Sequence, residues 1–169
     1  DGDDYKIKIT NISQSTLYDY SNNYFSIYSP GSVSITIESV DISPTGGSID
    51  VYMVNDEPVA GFQFDISGFN NFSASGGLAA DAGFTVSTGG DTILGFSFSG
   101  ATIPAGEGVL LTVQGDLDGA DICLSMGTGA ISDSNGQAFD VSCGDCVCYG
   151  EEPCDDADND GICDDVDDC

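Results

Sequence analysis

Histidine, arginine and tryptophan are all absent from this 169-residue chain, and lysine occurs only as Lys6 and Lys8. Without His or Arg, a Ser or Cys nucleophile has no evident base, and an anion site lacks its usual cation. This inventory points away from an enzyme. A carboxylate pair could in principle cleave glycosides, but the Asp and Glu residues are spread over turns, where solvated surface accounts for them. The missing Trp weakens a sugar platform, and the seven Tyr residues have an ordinary role in strand packing. Two cations against 29 acidic residues leave a net charge of −27, a field that repels nucleic-acid phosphate and anionic membranes. No run approaches the ~20 apolar residues of a spanning helix, so membrane insertion is not expected. No charged start followed by an apolar run reads as a leader, so the chain reads as a mature form or a fragment.

Hydrophobic residues make up 40% and charged residues 18%, which separates the chain from a disordered polyanion. Alternation with period two recurs along it, helical spacing does not, and 23 Gly residues punctuate the short runs. Strands are expected over residues 5–10, 24–29, 33–42, 49–55, 59–67, 84–87, 92–99, 109–114, 122–125 and 138–142. Ten short strands imply an all-β fold of two packed sheets. Phe62, Phe64 and Ile66 share one face of their strand while Gln63 and Asp65 share the other. Leu94, Phe96 and Phe98 repeat the apolar parity and are likewise expected in the core.

Six of the seven cysteines crowd between Cys143 and Cys169, where Gly and Asp leave almost no core. Disulfides are the natural staples there, which points to an extracellular or cell-surface location. Cys123, Cys143, Cys146, Cys148, Cys154, Cys163 and Cys169 are all candidates, and an odd count leaves one, with Cys169 foremost, to pair outside the chain. Zinc competes for Cys143, Cys146, Cys148 and Cys154, whose spacing is close to that of a zinc ribbon. Asn11-Ile12-Ser13 and Asn71-Phe72-Ser73 are glycan acceptor sequences, so covalent glycans are further candidate partners.

Between Gly150 and Cys169, ten of twenty residues are acidic. In the run DADNDGICDDVD, Asp156, Asp158 and Asp160 occupy positions 1, 3 and 5 of a calcium loop, and Gly161 position 6. The Ile162 carbonyl follows at 7, Asp164 at 9 and Asp167 at 12, where an EF-hand uses a bidentate Glu. Calcium takes six to eight hard oxygens, alternate residues aim their carboxylates inward, and Gly takes the sharp turn. Calcium is therefore the expected cofactor. With Cys163 and Cys169, this stretch resembles a thrombospondin type 3 repeat, of pattern DxDxDGxxDxxDxC. The resemblance implies a helix-free, calcium-rigidified connector between extracellular domains. One full repeat is present.

The stretches VYMVNDEPVAGFQFDISG, TILGFSFSGATIPAGEGVLLTV and CLSMG resemble cohesin-like sandwich domains of bacterial surface proteins. That resemblance implies an immunoglobulin/cohesin-like, jelly-roll-like two-sheet sandwich devoted to attachment. The segment DYKIKITNISQSTLYDYSNNYFSI resembles the closing strands of Ser/Thr-rich wall-associated sandwiches.

Three regions are thus expected: an N-terminal strand pair over 1–30, a sandwich over 31–142, and an irregular calcium-stabilised, disulfide-rich tail over 143–169. Two functions are compatible with them. In the first, Tyr5, Ile7 and Ile9 form an uncovered apolar face, with Lys6 and Lys8 opposite. These residues complete a neighbour's sheet in a homopolymeric surface fibre by strand complementation. In the second, the sandwich is an adhesion or binding module for a dockerin-like partner or a glycan. Chelation of calcium is expected to loosen residues 150–169 while the sandwich stays folded, because the core lies elsewhere. Limited proteolysis with and without chelator checks this, and an unchanged cleavage pattern in the tail contradicts it.

Overall fold

The computed structural model describes residues 2–5, 8–10, 18–20, 25–27, 31–43, 46–118 and 121–147. The chain divides into two compact units, Asp1–Pro30 and Gly31–Cys169. In the first, β1 (Gly2–Tyr5), β2 (Lys8–Thr10), β3 (Tyr18–Tyr20) and β4 (Phe25–Ile27) form two antiparallel pairs, β1 with β4 and β2 with β3. The expected pair of strands is therefore four shorter ones. Tyr18 and Tyr20 supply β propensity in a stretch expected as a connection. Tyr5 lies in β1, and Lys8 and Ile9 lie in β2; Lys6 and Ile7 fall outside the described residues.

The second unit contains β5 (Ser32–Ser43), β6 (Gly46–Asn55), β7 (Gly61–Ile66), β8 (Phe69–Ser75), α1 (Gly77–Asp81), β9 (Thr85–Gly89), β10 (Thr92–Phe96), β11 (Gly106–Leu117), β12 (Leu124–Ser125), β13 (Ile131–Ser132) and β14 (Asp140–Cys143). One sheet has the order β14-β5-β6-β11-β8. The other runs β12-β7-β10-β9, with β13 also on β7. The pairings are antiparallel except β14 with β5, which is parallel. This is a two-sheet β-sandwich. Its single core takes Val33, Ile35, Ile49, Val51, Met53 and Val113 from the first sheet and Phe62, Phe64, Ile66 and Ile93 from the second. Burying the alternate residues of each inner face is what drives the layers together.

Two irregularities interrupt the alternation, and each has a local cause. In β11 the register on β6 shifts between Val109 and Leu111, so the consecutive residues Leu110 and Leu111 are both fully buried. Such a bulge is the way one strand can turn two neighbours inward. In β8 the register on β11 shifts between Gln114 and Asp116, and Asn71 takes a φ of 46°. The apolar residues Phe69, Phe72 and Ala74 are thereby out of strict period two, and this strand is missing from the periodicity-based expectation. The short α1 is also an addition to it. Asn55 is the buried polar residue of the core; its Nδ2 donates to the carbonyls of Glu57 and Pro104 at 2.8 and 2.9 Å, tying the end of β6 to the loop before β11.

The parity of β10 differs from expectation. Ile93 and Gly95 face the core, whereas Leu94 is 38% exposed and Phe98, beyond the strand, is 85% exposed. Phe96 is half-buried on the outer side. The reason lies opposite, where Gly95 pairs with Phe62 and the Phe62 ring occupies the space a Cβ at 95 would need. Phe62 also stacks on Phe84, with centroids 5.9 Å apart and planes 7° apart, and lies 5.9 Å from Phe64. Turning Leu94 and Phe96 inward would overpack this aromatic cluster. Gly95→Ala is expected to destabilise the sandwich by about 1–3 kcal/mol through that overpacking, read as a lower denaturation midpoint at unchanged m-value.

Candidate binding surface

The outer face of the β12-β7-β10-β9 sheet is built by register. Leu94 lies beside Gln63 on β7 and Ser87 on β9, Phe96 beside Gly61 and Thr85, and Thr92 beside Asp65 and Gly89. Thr92 Oγ1 donates to Asp65 Oδ1 at 2.7 Å, which fixes one polar corner. At the other end of β10 the chain turns through Ser97–Gly100. Ser97 Oγ accepts from the Ala101 amide at 3.1 Å and lies 3.0 Å from Ser99 Oγ; Gly100 takes a φ of 73°. The turn displays Phe98, whose ring lies 4.7 Å from that of Phe96 with the planes at 74°. Edge-to-face contact holds the two rings together as one apolar protrusion. With the neighbouring Leu94, the exposed Phe98 and the half-buried Phe96 form the apolar end of this outer face.

The opposite sheet presents a different outer face. Tyr52 pairs there with Thr36 and Val109. Its phenol is raised above the ordinary tyrosine pKa, first by desolvation and then by the carboxylates of Glu107 and Glu38. Thr112 Oγ1 donates to Asp50 Oδ1 at 2.6 Å on this face. Between β13 and β14, Asp133 closes a tight loop. Its Oδ1 accepts from the amides of Gln137 at 2.7 Å and Asn135 at 2.9 Å, and its Oδ2 accepts from Asn135 Nδ2 at 3.0 Å. Those bonds, led by the one from Gln137, hold its carboxyl below the usual aspartate range.

The cysteines are arranged differently from the expected local staples. Ile122 and Val147 exchange backbone hydrogen bonds of 2.9 and 2.8 Å. Their neighbours Cys123 and Cys146 form a disulfide with Cα atoms 4.3 Å apart, the spacing of a non-hydrogen-bonded antiparallel pair. The bond therefore anchors residues 144–147 to the sandwich, which extends past the expected boundary at 142. Because Cys146 is consumed, the zinc set with Cys143, Cys148 and Cys154 loses a ligand. Cys143, expected in a disulfide, is a free thiol among the described residues, and desolvation raises its pKa, favouring the inert protonated form.

The remaining sequence-derived sites divide by position. Asn71 is exposed on β8. Asn11, the calcium-loop residues Asp156, Asp158, Asp160, Ile162, Asp164 and Asp167, and Cys148, Cys154, Cys163 and Cys169 lie outside the described residues. Among the described residues, no three His, Cys, Asp or Glu side chains converge on a metal position, and no helix is long and apolar enough to cross a membrane. Leu94, Phe96 and Phe98 were expected inside. The signal that could have placed them outside is the Ile93–Gly95 parity, in which a glycine stands where a large neighbour needs room.

No family model matches the chain, and no curated protein matches it. Among solved structures the chain is similar to a non-cellulosomal cohesin from the archaeon Archaeoglobus fulgidus. That similarity has 18% identity and a TM-score of 0.48, covering 66% of this chain and 86% of the cohesin. It is also similar to a chain of a CaDoc0917–CaCohA2 complex at 16% identity and a TM-score of 0.48, covering 66% of this chain and 94% of that one.

Reduction of Cys123–Cys146 is expected to lower the unfolding free energy by about 2–4 kcal/mol. Denaturation midpoints of the oxidised and reduced protein measure this. Hydrogen exchange should rise first at Ile122 and Val147, leaving the Phe62 cluster protected.

Proposed function

We propose that the sandwich is a non-catalytic binding module of an extracellular or cell-surface protein, docking a folded protein partner on the outer face of its β12-β7-β10-β9 sheet. The observation that carries this reading is the outward-facing cluster of Leu94, the half-buried Phe96 and Phe98, with Phe98 85% exposed on a hydrogen-bonded turn. Exposed aromatic side chains are enriched among the residues that anchor interfaces. The cluster falls within the stretch that resembles cohesin-like domains, which favours a compact, dockerin-like helical partner. From residue 31 onward the chain has neither Lys nor Arg, so the partner surface is expected to be apolar at its centre and basic at its rim. The Cys123–Cys146 disulfide supports an oxidising compartment.

The acidic run from Asp156 to Asp167 is proposed as a calcium-organised connector. Its donors, five carboxylates and the Ile162 carbonyl, are the hard oxygens that calcium selects. Fibre assembly through residues 1–30 has no comparable support, because β1 pairs with β4 and β2 with β3 inside that unit.

The test begins with partner capture from the secreted proteins of the source, followed by titration of the purified partner. Phe98→Asp and Leu94→Asp are each expected to weaken binding at least about 30-fold, the equivalent of a hot-spot loss of about 2 kcal/mol. Phe98→Asp should leave stability within about 0.5 kcal/mol of the parent, since Phe98 is exposed beyond the strand, while Leu94→Asp, within β10, should cost up to about 1 kcal/mol. Binding that is indifferent to both substitutions contradicts the proposed face.

A further inference from the structure

We infer that Asn71 carries an N-linked glycan. Asn71-Phe72-Ser73 satisfies the acceptor pattern, and in the folded sandwich both Asn71 and Ser73 are exposed while Phe72 is half-buried between them. The β8 bulge puts Asn71 at a φ of 46°, a region that Asn tolerates better than most residues. Backbone geometry alone therefore accounts for a small polar residue at 71. It places no demand on residue 73.

The side chain is also free to be modified. Its Nδ2 donates an exposed hydrogen bond to Asp116 Oδ2 at 3.3 Å. A carboxamide nitrogen carries two hydrogens, so one can be replaced by a sugar carbon while the other still reaches Asp116. Asn71 lines two open polar hollows. One, of about 510 Å³, is edged by Ser43, Ser48, Gln114 and Asp116, and the other, of about 330 Å³, by Thr88 and Asp91. The first sugars thus meet hydroxyls, an amide and carboxylates rather than a steric wall. The site lies by the β9–β10 turn, at the opposite end of β10 from Phe96, so a glycan there leaves the aromatic cluster open.

The chemistry needs a lipid-linked oligosaccharide activated as a phosphate or pyrophosphate. Asn71 Nδ2 forms a bond to C1 of the first sugar, and the C1–O bond to phosphorus breaks. The lipid phosphate leaves with that electron pair, and the nitrogen gives up one proton to a base of the transferase.

Peptide mapping by mass spectrometry of the protein secreted from its own source tests this directly. The Asn71 peptide is expected to carry a glycan that an N-glycan-releasing amidase removes, leaving Asp. Asn71→Gln and Ser73→Ala should each abolish it, and Ser73→Ala, which leaves the φ of 46° with its Asn, should do so with an unchanged unfolding midpoint. Ser73→Ala keeps the bulge residue and separates the modification from its backbone role. An unmodified Asn71 peptide from the source protein, glycan at Asn11 alone, or an adduct that survives Ser73→Ala overturns the inference.

Discussion

The Phe62 ring lies over Gly95, and much of the molecule follows from that contact. It seats Phe62 against Phe64 and Phe84 in the middle of the sandwich, and it sets which side of β10 is inside. Once Gly95 and Ile93 face inward, strand geometry sends Thr92, Leu94 and Phe96 outward. The outer face of the smaller sheet is then apolar at one end and polar at the other, where Thr92 bonds Asp65. The cost of exposing Leu94 and Phe98 is offset by a core that closes without overpacking. The outer apolar face and the core are in this sense two sides of one packing decision.

Charge imposes the second constraint. From residue 31 to the C-terminus every charged side chain is acidic, so no ion pair can form between side chains of residues 31–169. Cohesion rests on the apolar core, the sheet ladders and a disulfide, while mutual repulsion works against compaction until counterions screen it. Carboxylates are instead satisfied by hydroxyls and amides. Asp50 is held by Thr112, Asp65 by Thr92, Asp56 by the Ser32 amide and hydroxyl, and Asp133 by its own loop. Such a surface resists like-charged neighbours.

The sequence made the fold class legible because period two survives wherever one face is buried. Phe62, Phe64 and Ile66 alternate cleanly with Gln63 and Asp65, and β5, β6 and β11 fall close to their expected spans. β8 was not legible because the Asn71 bulge breaks its period, and β3 because its tyrosines are flanked in sequence by Ser, Thr, Asn and Asp. The outward side of β10 was hidden for a different reason. Both parities of β10 contain apolar residues, Ile93 on one and Leu94 and Phe96 on the other, so periodicity marks a strand without marking its inner side. Only the partner across the ladder, a phenylalanine needing a glycine opposite, decides between them. The Cys123–Cys146 pairing was equally invisible, since spacing says nothing about which strands the tail will join.

Hydroxyl-radical footprinting of the intact, oxidised protein tests the inward placement of Gly95 and the outward placement of its neighbours in one measurement. Rapid oxidation of Phe98 and Leu94, with Phe62, Phe64 and Ile93 protected until unfolding, is the predicted result. Protection of Phe98 and Leu94 together with ready oxidation of Ile93 would mean that β10 presents the other face, and the proposed binding surface would not exist.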